Sequence, residues 1–390
     1  TVAPSFPVTA YSCINALGDT TEEVLDGLSA GRSGLRPCPL ELPFDAPTGA
    51  VPGAVPPLPA ALAEYDSRTA RLAVAGVDQL RPAVTRAIAR HGANRVALIV
   101  GSTTAGLERT ERAYHDLKRT GALPADYDLH RQHSFGGVLE VVRRVLGVGG
   151  PTVAVSTACS ASAKALGSAQ RLLGAGLVDA VVVGGVDSLC QTTLRGFHAL
   201  EVLSSTACRP LSAARNGTNL GEGAAYLLLE RTGDARAWLL GVGESSDAYQ
   251  MSAPHPEGRG ALSAMREALT RGGRSPDQID YINAHSPGTR LNDVSEGIAI
   301  STLFGASVPV ASTKAYTGHM LGACGATEAV FAVAAIEQGW IPASLGADPV
   351  DATLGINVAT IRQQRRCRAV LSNSFAFGGN NVSVLFASAL

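Results

Sequence analysis

The sequence has little charge and no long apolar segment, and both absences exclude whole classes of protein. Only 17% of the 390 residues are charged, and 32 basic residues against 33 acidic ones leave a net charge of −1. Such a chain has no overall field that would select nucleic acid or an anionic membrane. No uncharged apolar run reaches the length of a membrane span, and the N-terminal residues lack the basic start and apolar run of a secretion signal. We therefore expect a soluble, cytoplasmic protein.

Cysteine is present, but its pattern is not that of a disulfide or metal protein. The seven cysteines are scattered, odd in number and never form a CxxC pair, which argues against a disulfide framework or a zinc site. A reducing compartment is the expected environment, and we expect no metal site. The cysteines are Cys13, Cys38, Cys159, Cys190, Cys208, Cys324 and Cys367.

Apolar residues and glycine dominate instead, as in a large α/β core with many tight turns. Apolar residues make up 46% of the chain, which contains 43 glycines. At this length two similar halves are expected, because single cores stop growing at roughly 250–300 residues. PTVAVSTACSASAKALGSAQRLLGAG predicts strand, turn and helix, and VPVASTKAYTGHMLGACGATEAVFAVAAIEQG repeats that order. We predict two duplicated βαβ-rich halves, residues 1–235 and 236–390, with catalytic groups where they meet.

One cysteine lies where a predicted buried strand, residues 152–156, turns into a helix. The helix is predicted from Cys159 to Leu173, so its free N–H groups and macrodipole would favour the Cys159 thiolate. Small neighbours leave the sulfur approachable and a backbone N–H free to bind an oxyanion. The alternative is a buried structural cysteine, which is what an isolated cysteine usually is.

Two histidines and a lysine follow predicted strands in the second half. His285 in DYINAHSPGT is a candidate proton donor or base, and a structural histidine is the alternative. His319 in STKAYTGHMLGACGA lies where a glycine-rich loop meets a long helix, a loop that small residues also explain by close packing alone. Lys314 lies in so apolar a segment that we expect it to pair with a carboxylate, with Glu296 as the candidate.

Four ordered blocks now identify a family resemblance. TACSASAKALGSA, NAHSPGTRLNDVSE, STKAYTGHMLGACGATEA and NSFAFGGNN resemble the signature blocks of the β-ketoacyl-[acyl-carrier-protein] synthase I/II family, and they span most of the chain. FGGNN and TACSASAK are similar to the aryl-polyene and related specialised branches. The resemblance implies a thiolase-like layered α/β/α/β/α fold, a dimer, an acyl carrier protein as partner, and no cofactor beyond the phosphopantetheine that the carrier brings.

The resemblance also implies a reaction and its catalytic residues. Cys159 would accept an acyl group, and His285 and His319 would drive the decarboxylation of malonyl-carrier protein by stabilising its enolate. Lys314 and Glu296 would support the histidines. The enzyme would thus be an acyltransferase that performs decarboxylative condensation in fatty-acid or polyene biosynthesis.

Further residues are assigned by motif position alone. The implied oxyanion hole consists of the N–H groups of Cys159 and Phe377, and the implied gate comprises Phe375, Phe377 and Gly378. Thr289 and Thr317 would contact substrate. Arg68 and Arg71 would dock the acidic carrier protein, although an ordinary solvated helix face is equally consistent. Arg112, Lys118 and Arg119 are further docking candidates.

The blocks depart from the family pattern at two points. HSPGT places Pro287 where the family has a threonine that helps to bind the pantetheine arm. AFGGNN places Ala376 at a glycine of the gating loop, which should restrict that loop.

Three related alternatives share the fold. A degradative thiolase needs a second catalytic cysteine, but Cys367 lies in a basic run and not in a glycine-rich loop. An initiation-type synthase would carry asparagine where His319 stands. A non-catalytic chain-length factor lacks the nucleophile, so Cys159 argues against it, whereas a catalytic subunit that needs such a partner stays open. Nucleotide binding has little support, because no glycine-rich phosphate loop occurs between a strand and a helix.

Overall fold

The computed structural model describes residues 1–390 and contains thirteen β-strands and eleven α-helices. The strands are β1 (Phe6–Ile14), β2 (Val96–Gly101), β3 (Thr152–Val155), β4 (Ala180–Asp187), β5 (Gly223–Glu230), β6 (Ala237–Ser246), β7 (Tyr281–Asn283), β8 (Pro309–Ala311), β9 (Trp340–Ile341), β10 (Asn357–Val358), β11 (Gln363–Gln364), β12 (Ala369–Phe375) and β13 (Asn380–Ala387). The helices are α1 (Thr21–Ser29), α2 (Arg68–Asp78), α3 (Arg81–His91), α4 (Leu107–Thr120), α5 (Phe135–Leu146), α6 (Ala161–Gly174), α7 (Gln191–Ala199), α8 (Arg259–Gly272), α9 (Arg290–Phe304), α10 (Lys314–Thr317) and α11 (Cys324–Gln338).

The strand order shows the predicted duplication. Eleven strands are hydrogen-bonded in the order β10-β8-β7-β12-β13-β6-β1-β5-β4-β2-β3, and β1 pairs with β6 over only three residues. On either side of that junction the order is the same, β1-β5-β4-β2-β3 in one half and β6-β13-β12-β7-β8 in the other. Equivalent pairs also share their direction: β2 runs parallel to β4, as β7 does to β12. The boundary after residue 235 stays a prediction.

Helices form the remaining layers. α6 and α11 contact each other and strands of both halves, so they lie between the two parts of the sheet. On the outer faces, α2 packs on β1 and β5, while α8 packs on β6 and β13 with α9 beside it. The predicted α/β/α/β/α layering is confirmed.

Small residues allow the two central helices to approach closely. A Cβ built on Gly325 of α11 would lie 2.5 Å from the backbone nitrogen of Ala163 in α6, closer than any carbon can approach. The runs of alanine, glycine and serine in both helices therefore have a packing reason. This contact fixes the start of α11, and with it the loop that carries His319, against the start of α6.

Local signals placed most elements, with one shift at the site. Thr20 caps α1, its Oγ1 accepting the N–H of Glu23 at 3.2 Å. α6 begins at Ala161 and not at Cys159, so the cysteine lies in the turn before the helix. No helix is both long and apolar enough to cross a bilayer.

Candidate active site

A cavity of about 450 Å³ has walls from both halves of the chain. Its lining includes Cys159, His285 and His319, and the first and last of these are 160 residues apart in the sequence. The structure therefore brings together the three residues that were predicted to carry the chemistry.

Cys159 lies in a tight turn after β3. The residue before it, Ala158, has φ = 53°, a left-handed conformation that is strained for alanine and typical of functional turns. The backbone N–H groups of Phe377 and of Cys159 itself both lower the pKa of the thiol, as N–H groups near the sulfur would. These are the two donors predicted for the oxyanion hole, and they come from opposite halves of the chain.

The structure does not favour the Cys159 thiolate that the sequence predicted. Burial raises the pKa of Cys159 to about 12, although the Lys314 charge and the two N–H groups act in the opposite direction. The residue is only 5% exposed, and the helix begins two residues later than predicted, so the dipole does not outweigh desolvation. Cys159 is therefore a thiol at neutral pH, and its proton must leave when the sulfur attacks.

The two histidines face each other beside the cysteine. Their ring centroids are 5.2 Å apart and the rings are nearly perpendicular. Burial lowers the pKa of both imidazoles well below the usual value, and the Lys314 ammonium lowers it further. Both rings are thus neutral at pH 7. The Nε2 atoms of His285 and His319 have no hydrogen-bond partner and are not among the fully buried atoms, so both are accessible from the cavity.

Lys314 does not pair with Glu296, which corrects the predicted partner. Its Nζ forms an ion pair with Glu328 of α11 and donates to the carbonyl of His285 at 2.8 Å. Burial lowers the pKa of Lys314, but the charge and hydrogen bond of Glu328, together with Cys324 and Glu296, raise it, and the amine stays charged. The prediction was wrong because Lys314 faces α11, whereas Glu296 lies on α9.

Glu296 instead holds the turn that carries His285. Its carboxylate accepts the N–H of His285 at 2.8 Å and both the N–H and hydroxyl of Ser286, at 2.6 and 2.8 Å. Asn373 donates to the same carboxylate at 3.2 Å. Both predicted supporting residues thus contact the main chain of His285, from opposite sides.

The predicted gate lies at the end of β12 and on the loop that follows it. Phe377 stacks on Phe197 with centroids 5.4 Å apart, and Phe375 is 6.4 Å from His285. Gly378 has φ = 84°, a conformation that needs glycine, whereas Ala376 is not in that region. The alanine in place of the family's glycine is therefore compatible with the conformation observed.

The two predicted substrate threonines have different positions. Thr289 lines the cavity, and its hydroxyl makes no capping bond to α9, so it is free to meet a ligand. Thr317 does not line the cavity, because its hydroxyl turns back to the carbonyl of Gly318 at 2.8 Å. Thr218 and Asn292, which the sequence did not single out, line the cavity with buried polar atoms that have no partner.

The predicted docking arginines are already engaged. The Arg68 guanidinium donates to the buried Glu222 at 2.8 Å, and that of Arg71 donates to Asp66 at 2.6 Å. Each side chain is nevertheless 37–38% exposed. A carrier would have to compete with these intramolecular partners.

Cys324 and Glu328 were missed by the sequence reasoning, although each carries a signal. Glu328 is the only charge within the buried part of α11, Cys324–Ala335, and so it must have a partner. Cys324 lies five residues after His319, with its Sγ 3.0 Å from the Nδ1 of that ring. Only the fold shows that the loop returns the ring to the start of its own helix.

The site combines a thiol, two neutral imidazoles and two N–H groups beside the sulfur. That set can accept an acyl group on sulfur and stabilise an oxyanion or enolate beside it. The layered fold and this site define a condensing enzyme of the thiolase-like class.

Comparison with known proteins agrees with that class. Residues 6–235 match the family "Beta-ketoacyl synthase, N-terminal domain", and residues 236–348 match "Beta-ketoacyl synthase, C-terminal domain". The chain belongs to the β-ketoacyl synthase family, whose members are acyltransferases.

Individual relatives extend the comparison. A 3-oxoacyl-[acyl-carrier-protein] synthase 2 from Rhizobium meliloti is 39% identical over 255 residues, 60% of each chain. Nodulation protein E of the same organism is 31% identical over 97% of this chain and 98% of its own length. A ketosynthase from Xenorhabdus doucetiae, solved in complex with its chain length factor, superposes with a TM-score of 0.92 at 39% identity, covering 99% of this chain and 98% of that one.

Proposed function

We propose that the protein is a β-ketoacyl-[acyl-carrier-protein] synthase that joins a Cys159-bound acyl group to the two-carbon unit of malonyl-carrier protein, with loss of carbon dioxide. The observation that carries this proposal is the convergence of Cys159, His285 and His319 on one cavity, with the N–H groups of Cys159 and Phe377 at the sulfur. A degradative thiolase is disfavoured, because Cys367 does not line that cavity.

The acyl group would be transferred first. The Cys159 sulfur attacks the thioester of an acyl-carrier, and the two N–H groups hold the oxyanion that forms. Malonyl-carrier would then place its thioester oxygen between His285 and His319, whose Nε2–H groups stabilise the enolate as carbon dioxide leaves. Its carbanion attacks the acyl-cysteine and releases the ketoacyl product on the carrier.

The remaining residues would position these groups. Lys314 and Glu296 hold the main chain of His285, while Phe375, Phe377 and Gly378 form the wall through which the acyl chain passes. Thr289 would contact the pantetheine arm. We keep Arg68 and Arg71 as carrier-docking residues only through their exposed faces, since both are ion-paired.

A second candidate is the same catalysis within a heterodimer, in specialised polyene or polyketide biosynthesis. Its support is the likeness over nearly the full chain to a ketosynthase solved with a chain length factor. Such a partner would be a related, non-catalytic subunit. Seven free cysteines fit a reducing cytoplasm as the location.

Intact-mass analysis after incubation with acyl-carrier thioesters of several chain lengths tests the proposal. Wild type is expected to gain the mass of the acyl group, and Cys159→Ala to gain none. Cys190→Ala removes another buried cysteine outside the cavity and should acylate like wild type. If no acyl adduct of any length forms on wild type, alone or with a chain-length-factor subunit added, the proposed function is wrong.

A further inference from the structure

The two histidines differ in the hydrogen bonds to their Nδ1 atoms, and only His319 has bonds that fix its tautomer. Its Nδ1 accepts the backbone N–H of Leu321, two residues further on, at 3.3 Å. The Cys324 sulfur lies 3.0 Å from the same nitrogen, and burial raises the pKa of that thiol so that it keeps its proton. A ring nitrogen that accepts hydrogen bonds cannot carry the proton of a neutral imidazole. His319 therefore carries its proton on Nε2, which faces the cavity.

His285 lacks the corresponding contact. Its Nδ1 is buried and has no hydrogen-bond partner, although the residue is only 2% exposed. The residue two positions further on is Pro287, which has no N–H to donate. In His319 that same position, Leu321, supplies the donor.

No other N–H of the turn can replace the missing one. The N–H groups of His285 and Ser286 are bound to Glu296, and that of Gly288 is bound to Asp293 at 3.2 Å. Every donor in the turn is thus used by a carboxylate of α9. Proline occupies the position that, in the loop of His319, supplies the donor to the ring.

We propose that Pro287 is a positioning residue that leaves the tautomer of His285 free, so that His285 can accept a proton at Nε2 whereas His319 can only donate one. The proposal rests on the proposed condensing function. It assigns different tasks to two rings that look equivalent in the cavity.

The free tautomer supplies the base that acyl transfer needs. With its proton on Nδ1, His285 accepts the S–H proton of Cys159 at Nε2 while the sulfur bonds to the thioester carbon. The bond from that carbon to the carrier sulfur breaks, and the departing carrier thiolate takes the proton from Nε2. A thiol and a thioester have exchanged, and His285 is neutral again. For decarboxylation the donor beside His319 is the Nε2–H tautomer of His285, the other member of the same tautomer equilibrium.

The side-chain ¹⁵N spectrum of histidine-labelled protein tests this directly. In wild type, His319 is expected as a single Nε2–H tautomer, and His285 as a mixture with averaged nitrogen shifts. Pro287→Ala restores an N–H at position 287 and should convert His285 to the Nε2–H form. Pro254→Ala, a matched change of another proline in the cavity wall, should leave both signals unchanged. A single Nε2–H tautomer for His285 in wild type would overturn the proposal, and so would a Pro287→Ala spectrum identical to that of wild type.

Kinetics provides a second readout that simple loss of structure would not reproduce. Single-turnover acylation of Cys159 in Pro287→Ala should fall roughly tenfold or more, toward the roughly 10²–10⁴-fold that general-base catalysis contributes, while malonyl-carrier decarboxylation stays at or above the wild-type rate. Equal losses in both steps would count against a tautomer effect. If wild type forms no acyl adduct at all, the proposed function fails, and the nitrogen spectra still decide the role of Pro287.

Discussion

At the scale of single residues, the site depends on one buried charge pair. Lys314 and Glu328 are each at most 2% exposed, and Lys314 also reaches the carbonyl of His285. Two charges removed from water do little for stability as a pair, but one of them alone is costly. The pair therefore serves to place a cation beside two neutral imidazoles.

Removing one partner of the pair should separate its effect on stability from its effect on catalysis. We expect Glu328→Gln to destabilise the fold by about 3–5 kcal/mol, because Lys314 is left buried without its counter-charge. The double variant Lys314→Met with Glu328→Leu should recover most of that loss, yet remain deficient in decarboxylation. Urea unfolding and carbon dioxide release measure the two effects.

An exposed ion pair provides the control. Asp78→Asn breaks the pair with Arg81, whose side chains are nearly half exposed, and should change stability by less than about 1 kcal/mol. If Glu328→Gln is no more destabilising than Asp78→Asn, Lys314 does not depend on Glu328.

Sequence reasoning reached the need for this pair but not its members. An apolar segment around Lys314 requires a carboxylate, and that inference is confirmed. The choice of Glu296 was wrong because α9 and α11 both offer a buried acid, and only the packing decides which one Lys314 faces. The prediction of a thiolate at Cys159 was wrong for a similar reason. A motif shows the turn that carries the cysteine, but only the whole fold shows how deeply that turn is buried.

At the scale of elements, the crossing of α6 and α11 positions the cysteine relative to His319. Each helix follows the turn or loop that carries one of these residues, and the two touch where Gly325 meets Ala163. The duplication and the layers were predictable, because they follow from the repeated strand, turn and helix order and from the family blocks. This contact was not, since a glycine in a small-residue helix has many possible neighbours.

Gly325→Ala is expected to force the two helices apart. The added methyl would meet the backbone of Ala163, so a loss of about 1–3 kcal/mol in the free energy of unfolding is expected. Acylation and decarboxylation should both fall, because Cys159 and His319 move relative to each other. Gly196→Ala adds a methyl to an exposed helical glycine with open space around it, and should be neutral or stabilise by about 0.4–1 kcal/mol. Equal unfolding midpoints for the two variants would contradict the close approach.

At the scale of the whole molecule, the sheet ends in an unprotected edge. β3 is the last strand on its side and pairs only with β2, while Val153 and Ala154 are exposed. An uncharged apolar edge strand is a template for another chain, and proteins that remain monomeric usually protect such an edge with charge or proline. Here the edge is unprotected, as a strand that pairs across a subunit interface would be.

Val153→Lys should therefore weaken subunit association, whether the partner is a second copy or a related chain-length-factor subunit. A lysine on this edge opposes pairing by its charge and hydration, so sedimentation equilibrium should show a shift toward monomer. Ile361→Lys, which changes another exposed apolar residue away from this edge, should associate like wild type. Because only three residues separate Val155, the end of β3, from Cys159, loss of the partner should also slow acylation of the cysteine. If Val153→Lys associates as tightly as Ile361→Lys, the second subunit binds elsewhere and the edge of the sheet must be protected by other means.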